Sequence, residues 1–289
     1  MEGKCKCIIC GEIKESTEEH IIPKSLGNNE LKIFFVCKEC NSGLGTHVDN
    51  YLVNHRLIQI IRQNLKLKGQ SGQIPNPFKE GRDKEGNIIR VDNLFVPSVV
   101  PKVEQQGNRL RVFAPTYEQA VELVTKKLKR MGYTDEKIQE CLNTIPSDLK
   151  SKSFQPEIEY DATIDFNRFF LAALKIAYEY GYYKLGETFY ADETAQRIRK
   201  ILYKATKGNF DEKYDKVMLL PPDFSELLKP AQNMYCHMLV LHKDIENRLL
   251  VHIILFLSSA FSFSVCISDD ASKYKIHQDC ITEIILINS

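Results

Sequence analysis

Apolar and polar positions along the chain follow two rhythms. From about Val48 to Lys68, Leu52, Leu57, Ile60, Ile61 and Leu65 recur at helical spacing, with Arg56, Arg62, Lys66 and Lys68 among them. Gly69-Gln-Ser-Gly-Gln-Ile-Pro-Asn-Pro77 breaks that rhythm and predicts a linker. Residues 87–114 turn to a β rhythm, and Val103 to Phe113 alternates about Gly107-Asn108 as a hairpin would. Thr116 with Gln119 forms a capping box for a helix over Tyr117–Met131, and Gly132 is its stop. A second short helix starts near Asp135. After a polar stretch to Asp165, a strong helix spans about 166–183, with Phe169, Phe170, Ala173, Leu174, Ala177 and Tyr178 on one side. Another covers roughly 195–204, and the tail from Met234 to Ile287 predicts apolar strands.

Leu249 to Ile267 carries almost no charge, so a membrane helix has to be weighed against buried strands. His252, four serines, the β-leaning Phe/Val/Ile content and the bend offered by Ser258-Ser259-Ala260 favour two core strands of an antiparallel sheet. No membrane association is expected.

Composition narrows the class. The chain has 289 residues, 43% hydrophobic and 27% charged, which fits a folded globular protein with room for two domains. Net charge is +1, so the protein as a whole is not a basic nucleic-acid coat. The modest positive excess sits in residues 61–150, with 16 Lys/Arg to 11 Asp/Glu. The cluster Lys126, Lys127, Lys129 and Arg130 closes a helix, where cations meet the helix dipole, and reads first as a solvated end. Met1 to Cys5 shows no apolar leader, so a reducing, cytoplasmic setting is expected.

In that setting the nine cysteines matter, because five fall within the first 40 residues. Cys7-Ile-Ile-Cys10 and Cys37-Lys-Glu-Cys40 are two Cys-x-x-Cys pairs, and two such turns brought together present four sulfurs at tetrahedral geometry. A closed four-thiolate zinc site is structural, and some 45 residues need such a staple to fold. Cys5 is a spare, and Cys141, Cys236, Cys266 and Cys280 read as ordinary thiols. Between the pairs lies Glu19-His20-Ile-Ile-Pro23, and Asn41 follows the last zinc cysteine. An imidazole can take a proton from water near neutrality, and a carboxylate can hold a hard divalent cation. Asn41 adds a neutral oxygen at the start of the next helix. Base, acidic ligand and amide ligand around one cation are the parts needed to cut a phosphodiester.

These residues resemble the HNH endonucleases of the ββα-metal superfamily, in the zinc-stapled form with a Glu-His-Ile-Ile-Pro opening. Cys7, Cys10, Glu19, His20, Cys37, Cys40 and Asn41 match the pattern, and the likeness covers about residues 5–52. A looser likeness around Lys175-Ile-Ala-Tyr-Glu-Tyr180 is given no site. The resemblance implies an α+β protein: a small N-terminal zinc-bound ββα-metal nuclease domain over 1–68, a linker over 69–86, and a larger α+β region with antiparallel strands over 87–289, divisible at 150. It implies His20 as general base, with Glu19 and Asn41 on one Mg²⁺ or Mn²⁺ ion. DNA is the expected substrate, with RNA as the alternative, and restriction of foreign DNA or phage defence is the expected role. A homodimer cutting both strands is a further expectation.

The chain departs from the pattern in two ways. Glu19 stands where Asp is commoner. The middle Asn that orients the base is missing, Lys32 stands in its place, and Asn28 or Asn29 could substitute only through a loop shift. His47 and Asp49 are candidate further metal ligands, and Arg56 and Arg62 candidate phosphate contacts. The competing class is a non-catalytic zinc module that binds nucleic acid or protein. Such a module needs the cysteines but has no use for the trio Glu19, His20 and Asn41.

Overall fold

The computed structural model describes residues 3–107, 109–144, 155–210, 217–223, 234–276 and 280–287. The chain divides into two compact units, Met1–Pro75 with Thr163–Ser289, and Asn76–Ala162. This differs from the sequence-based division into 1–68, a 69–86 linker and 87–289. The C-terminal half shares a unit with the cysteine-marked segment, and the middle third folds by itself.

The first unit begins with an antiparallel sheet in the order β1 (Lys4–Lys6), β2 (Ile13–His20) and β3 (Lys32–Cys37). Thr17 pairs with Val36 and Glu19 with Ile33, so one residue of β2 faces two of β3, Phe34 and Phe35. Helix α1 (Lys38–Leu44) follows directly, then a π turn (Gly45–Asp49) and α2 (Asn50–Asn54). Leu44, Asp49 and Asn50 keep right-handed helical angles at the junctions, so these three pieces form one continuous rod. The rod ends at His55, which is extended (φ −62°, ψ 137°), before α3 (Arg56–Asn64). The periodicity of 48–68 gave no hint of this break. Tertiary contacts impose it: the buried His55 ring hydrogen-bonds the Thr163 carbonyl region through Nε2 at 3.1 Å and meets Phe169 edge-on at 4.9 Å.

The second unit holds a three-stranded antiparallel sheet of β4 (Glu80–Arg82), β5 (Ile88–Val91) and β6 (Pro97–Val99). The hairpin of β7 (Lys102–Gln106) and β8 (Arg109–Phe113) forms as expected, although Asn108 of its turn lies outside the described residues. Helix α4 (Tyr117–Arg130) starts where the Thr116 hydroxyl accepts the Gln119 N–H at 3.3 Å, and α5 (Asp135–Asn143) follows. Lys126 pairs with Glu122 and Lys129 with Asp135, which supports a solvated helix end there.

The chain then returns to the first unit with α6 (Phe166–Tyr190) and α7 (Glu193–Ala205). The Asp165 carboxylate caps α6 by accepting the N–H groups of Asn167 and Arg168. Every residue from Leu171 to Tyr182 is buried, so α6 is a central helix with no solvent face along that run. One side packs on α7 and on an antiparallel sheet made of β9 (Met218–Leu219), β10 (Cys236–Lys243), β11 (Leu249–Ile254), β12 (Ser262–Ser268) and β13 (Cys280–Leu286), ordered β13-β10-β11-β12-β9. The other side meets α2 and the π turn. β11 and β12 are the two core strands expected from Leu249–Ile267, and among the described residues no helix is long and apolar enough to cross a membrane. His252 is accommodated in β11 by the Ser264 hydroxyl (2.6 Å) and the His242 ring (2.9 Å).

One hydrophobic core runs from Cys7, Ile8 and Ile22 through Leu174 and Tyr178 to Val251 and Ile285. The Tyr178 hydroxyl donates to the Ile8 carbonyl at 2.7 Å, tying α6 to the first cysteine turn. Gly43 of α1 lies against Thr206 at the end of α7, where an added Cβ would come within 2.6 Å of the Thr206 carbonyl oxygen. The architecture is therefore α+β, with the cysteine-bearing ββα segment built onto a larger helix-and-sheet body.

Candidate active site

The first cysteine pair sits on a turn that follows β1. The Gly11 N–H donates to the Cys7 carbonyl at 2.8 Å, and Gly11 adopts φ +81°, a conformation glycine reaches without a Cβ penalty. The second pair joins β3 to α1: Cys37 caps the helix and Cys40 lies in its first turn. The sulfurs of Cys7, Cys10, Cys37 and Cys40 all lie within 4.8 Å of one another, as four thiolates around one ion require. Cys5 lies outside this cluster. Neighbouring groups favour ionisation of the Cys7 thiol. The Cys40 side chain, then the backbone N–H groups of Cys37, Cys10 and Ile9, pull it down to about 4 against the cost of burial. Four cysteines are thus positioned to bind a metal.

The stapled hairpin and the helical rod enclose a cleft of about 550 Å³, lined among others by Glu18, Glu19, His20, Asn41 and Asp49. The π turn explains why Asn41, Gly45 and Asp49 all reach it. In a regular α-helix, eight residues overshoot two full turns by about 80°. A wider i→i+5 turn absorbs that excess and brings Asp49 back over Asn41. Residues 69–75, expected to be linker, form part of the opposite wall.

His20 ends β2, opposite Lys32 on β3. Its side chain is partly buried, and Nε2 lies 3.8 Å from Glu18 Oε1, while Lys32 Nζ holds the other Glu18 oxygen at 2.7 Å. Burial lowers the His20 pKa, Glu18 opposes that, and Lys24, Lys175 and Lys32 add to it. The imidazole is therefore neutral at pH 7 and free to accept a proton. Asn41 donates through Nδ2 to the Thr17 hydroxyl (3.1 Å) and the Glu18 carbonyl (2.8 Å), which leaves its carbonyl oxygen as a ligand atom.

Glu19 is almost fully buried, 5% exposed, and its Oε1 lies 2.5 Å from Lys175 Nζ. Lys175 comes from α6 and is wholly buried. The same ammonium lies 3.3 Å from Asp49 Oδ2 and 3.3 Å from Glu179 Oε2, and donates to the His20 carbonyl at 2.8 Å. Burial opposes its charge, but Asp49, Glu179 and Glu19 outweigh burial and raise its pKa. Burial pushes the Glu19 and Asp49 carboxyls up, against the pull of Lys175, and pushes Glu179 well above the carboxylate range. Asp49 Oδ1 is buried with no hydrogen-bond partner. An orphaned carboxylate oxygen, the Asn41 carbonyl and the Glu19 carboxylate form an all-oxygen donor set suited to a hard divalent cation.

Of the other expected residues, Arg62 lines the cleft, and Arg56, His47 and Asn28 fall elsewhere. Arg62 is 2% exposed, and its guanidinium donates to the Ser25 (2.9 Å) and Val53 (3.2 Å) carbonyls. It braces the loop after His20 against α2 from the cleft wall, so the two bonds it makes there go to backbone carbonyls. Arg56 is half-buried at the start of α3 and does not line the cleft. The His47 ring stacks near Phe210 (6.3 Å) and Gly208, outside the cleft, so it does not join Asp49 as a ligand. Asn28 is fully buried and stitches its own loop through the Ile22 and Leu31 carbonyls, so it does not orient His20. Lys175 and Glu179 were missed. The available signal was a Lys and a Glu four residues apart inside an otherwise apolar helix, where a buried charge needs a partner.

A cysteine-marked hairpin and helix thus bring an acidic residue, a histidine and an asparagine to one cleft. Residues 7–57 match the HNH endonuclease family, so the chain carries an N-terminal HNH endonuclease domain. No curated protein and no solved structure matched the chain.

Proposed function

We propose that the protein is a metal-dependent endonuclease that hydrolyses phosphodiester bonds in DNA. The observation that carries this reading is the one cleft shared by the His20 imidazole and the oxygen donors Asn41, Asp49 and Glu19. His20 takes the proton from the attacking water. Glu18, fixed by Lys32, restrains the ring in the place of the family's missing asparagine. Asn41, Asp49 and Glu19 would hold Mg²⁺ or Mn²⁺, which would supply positive charge beside the phosphate under attack. Zinc in the four-cysteine site holds the hairpin to the helix and takes no part in the chemistry, since four thiolates leave no open position.

The test is cleavage of supercoiled plasmid by the purified chain with Mg²⁺ or Mn²⁺, blocked by EDTA. Duplex, single-stranded, modified and RNA substrates in the same assay separate DNA from RNA. A nuclease domain built onto a larger folded body fits restriction of foreign DNA or phage defence, which the modified substrates also probe. DNA binding without cleavage under every metal condition would favour the non-catalytic zinc module.

A further inference from the structure

The nuclease-type segment supplies Glu19, His20 and Asp49, yet what holds them comes from more than 120 residues away. Lys175 Nζ reaches Glu19 Oε1 at 2.5 Å and Asp49 Oδ2 at 3.3 Å. It also donates to the carbonyl of His20 at 2.8 Å and approaches that of Ile21 at 3.4 Å. One ammonium thus touches both cleft acids and the backbone of the base itself. Glu179, one helical turn further along α6, lies 3.3 Å from the same ammonium, and among the described residues neither of its oxygens has a hydrogen-bond partner. A buried lysine forms few rotamers and has no water to exchange with, so its partners are held in one geometry.

We propose that Lys175 is a positioning residue of the nuclease site: it sets the Glu19 and Asp49 carboxylates and the end of the strand that carries His20, so that α6 completes an active site begun by residues 7–57. The inference rests on the nuclease reading above. It gives the C-terminal half a direct part in the chemistry. It also makes Glu179 the polar neighbour that holds the ammonium on the α6 side, 3.3 Å away.

The ammonium has two opposing effects on a divalent cation held by the same acids. It repels the ion, and it orders the ligands. Removing it should therefore tighten cation binding while slowing turnover, a split that general unfolding does not produce. The experiment uses the full-length chain, with calorimetric titration of Mn²⁺ alone beside plasmid cleavage at saturating Mn²⁺. Lys175→Met removes the charge. Lys175→Met with Glu179→Leu removes both members of the pair, which buried ion pairs commonly tolerate when replaced by apolar side chains, and so guards against misfolding. With Mn²⁺ bound to Glu19 and Asp49 in place of the lost ammonium, the double variant is expected to keep its zinc and its melting temperature. Its Mn²⁺ dissociation constant should fall by about tenfold or more, and its turnover should fall by about tenfold or more. Unchanged Mn²⁺ affinity and turnover, or a parallel loss of both together with melting temperature, would overturn the proposal. A wild-type chain that neither binds Mn²⁺ nor cuts overturns the nuclease reading itself, and this inference with it.

Discussion

The four-cysteine cluster and the Lys175 cluster lie in the same unit and are built by opposite routes. The cysteines come from two short turns whose spacing is written in the sequence, and each pair is local. The lysine cluster joins β2, the π turn and α6, elements that meet only when the whole unit has folded. A local site can be carried from fold to fold as a cassette. The second site ties the cassette to one particular body. A free nuclease segment of this sequence would keep its staple but lose the ammonium that orders its acids.

The comparison breaks most sharply at the staple. Cys37→Ser removes a metal ligand, and structural zinc is worth roughly 10–16 kcal/mol of folding free energy in small zinc domains. The variant should lose bound zinc by elemental analysis, lose ordered N-terminal amides by hydrogen exchange, and lose all cleavage. A variant that cuts normally without zinc would remove the staple from the scheme. His20→Ala is the next largest effect. Loss of a general base lowers turnover by about 10²–10⁴-fold, while zinc content and DNA binding persist. Full activity in His20→Ala would end the assignment of the base.

Gly43→Ala probes how firmly the cassette is joined to its body. The new methyl would press on Thr206 at 2.6–2.7 Å and force α1 away from α7. Overpacking of this kind costs about 1–3 kcal/mol, seen as a lower melting temperature with zinc retained. No change in melting temperature would mean that the two helices are not held at that distance in solution.

The sequence made the four-cysteine cluster and most secondary structure legible, because each rests on short-range spacing. The capping box at Thr116, the helix from Phe166 and the strands β11 and β12 follow directly from periodicity and turn residues. Long-range partners are what it concealed. Arg62 and Arg56 sat among the apolar residues of a helical pattern and read as phosphate contacts, yet Arg62 is spent on two buried carbonyls. His55 broke an apparently continuous helix because its ring finds Phe169. Lys175 and Glu179 carried a visible oddity, two charges in an apolar helix, whose meaning depends on Glu19 and Asp49 from another part of the chain. The π turn was equally invisible, and without it Asp49 would face away from Asn41.

The smallest expected effect separates the two ways of holding a site within a few ångströms of the base. Glu18 is exposed, unlike Lys175, and it approaches His20 Nε2 only to 3.8 Å. It raises the His20 pKa, whereas burial and the neighbouring lysines lower it. Cleavage needs the neutral imidazole, so activity is lost as pH falls through the His20 pKa, and the low pKa keeps that limb on the acid side of the ordinary histidine value. Removing the carboxylate in Glu18→Gln withdraws the one group that favours the imidazolium, so the limb moves to still lower pH. Turnover above the limb should fall by less than about tenfold, because an exposed pair restrains the ring only weakly. The pH–rate profiles of the two proteins, measured on one plasmid substrate at saturating Mg²⁺, decide the matter. A limb that shifts upward, or an activity loss as deep as that of His20→Ala, would show that Glu18 acts on the reaction itself instead of tuning the ring beside it.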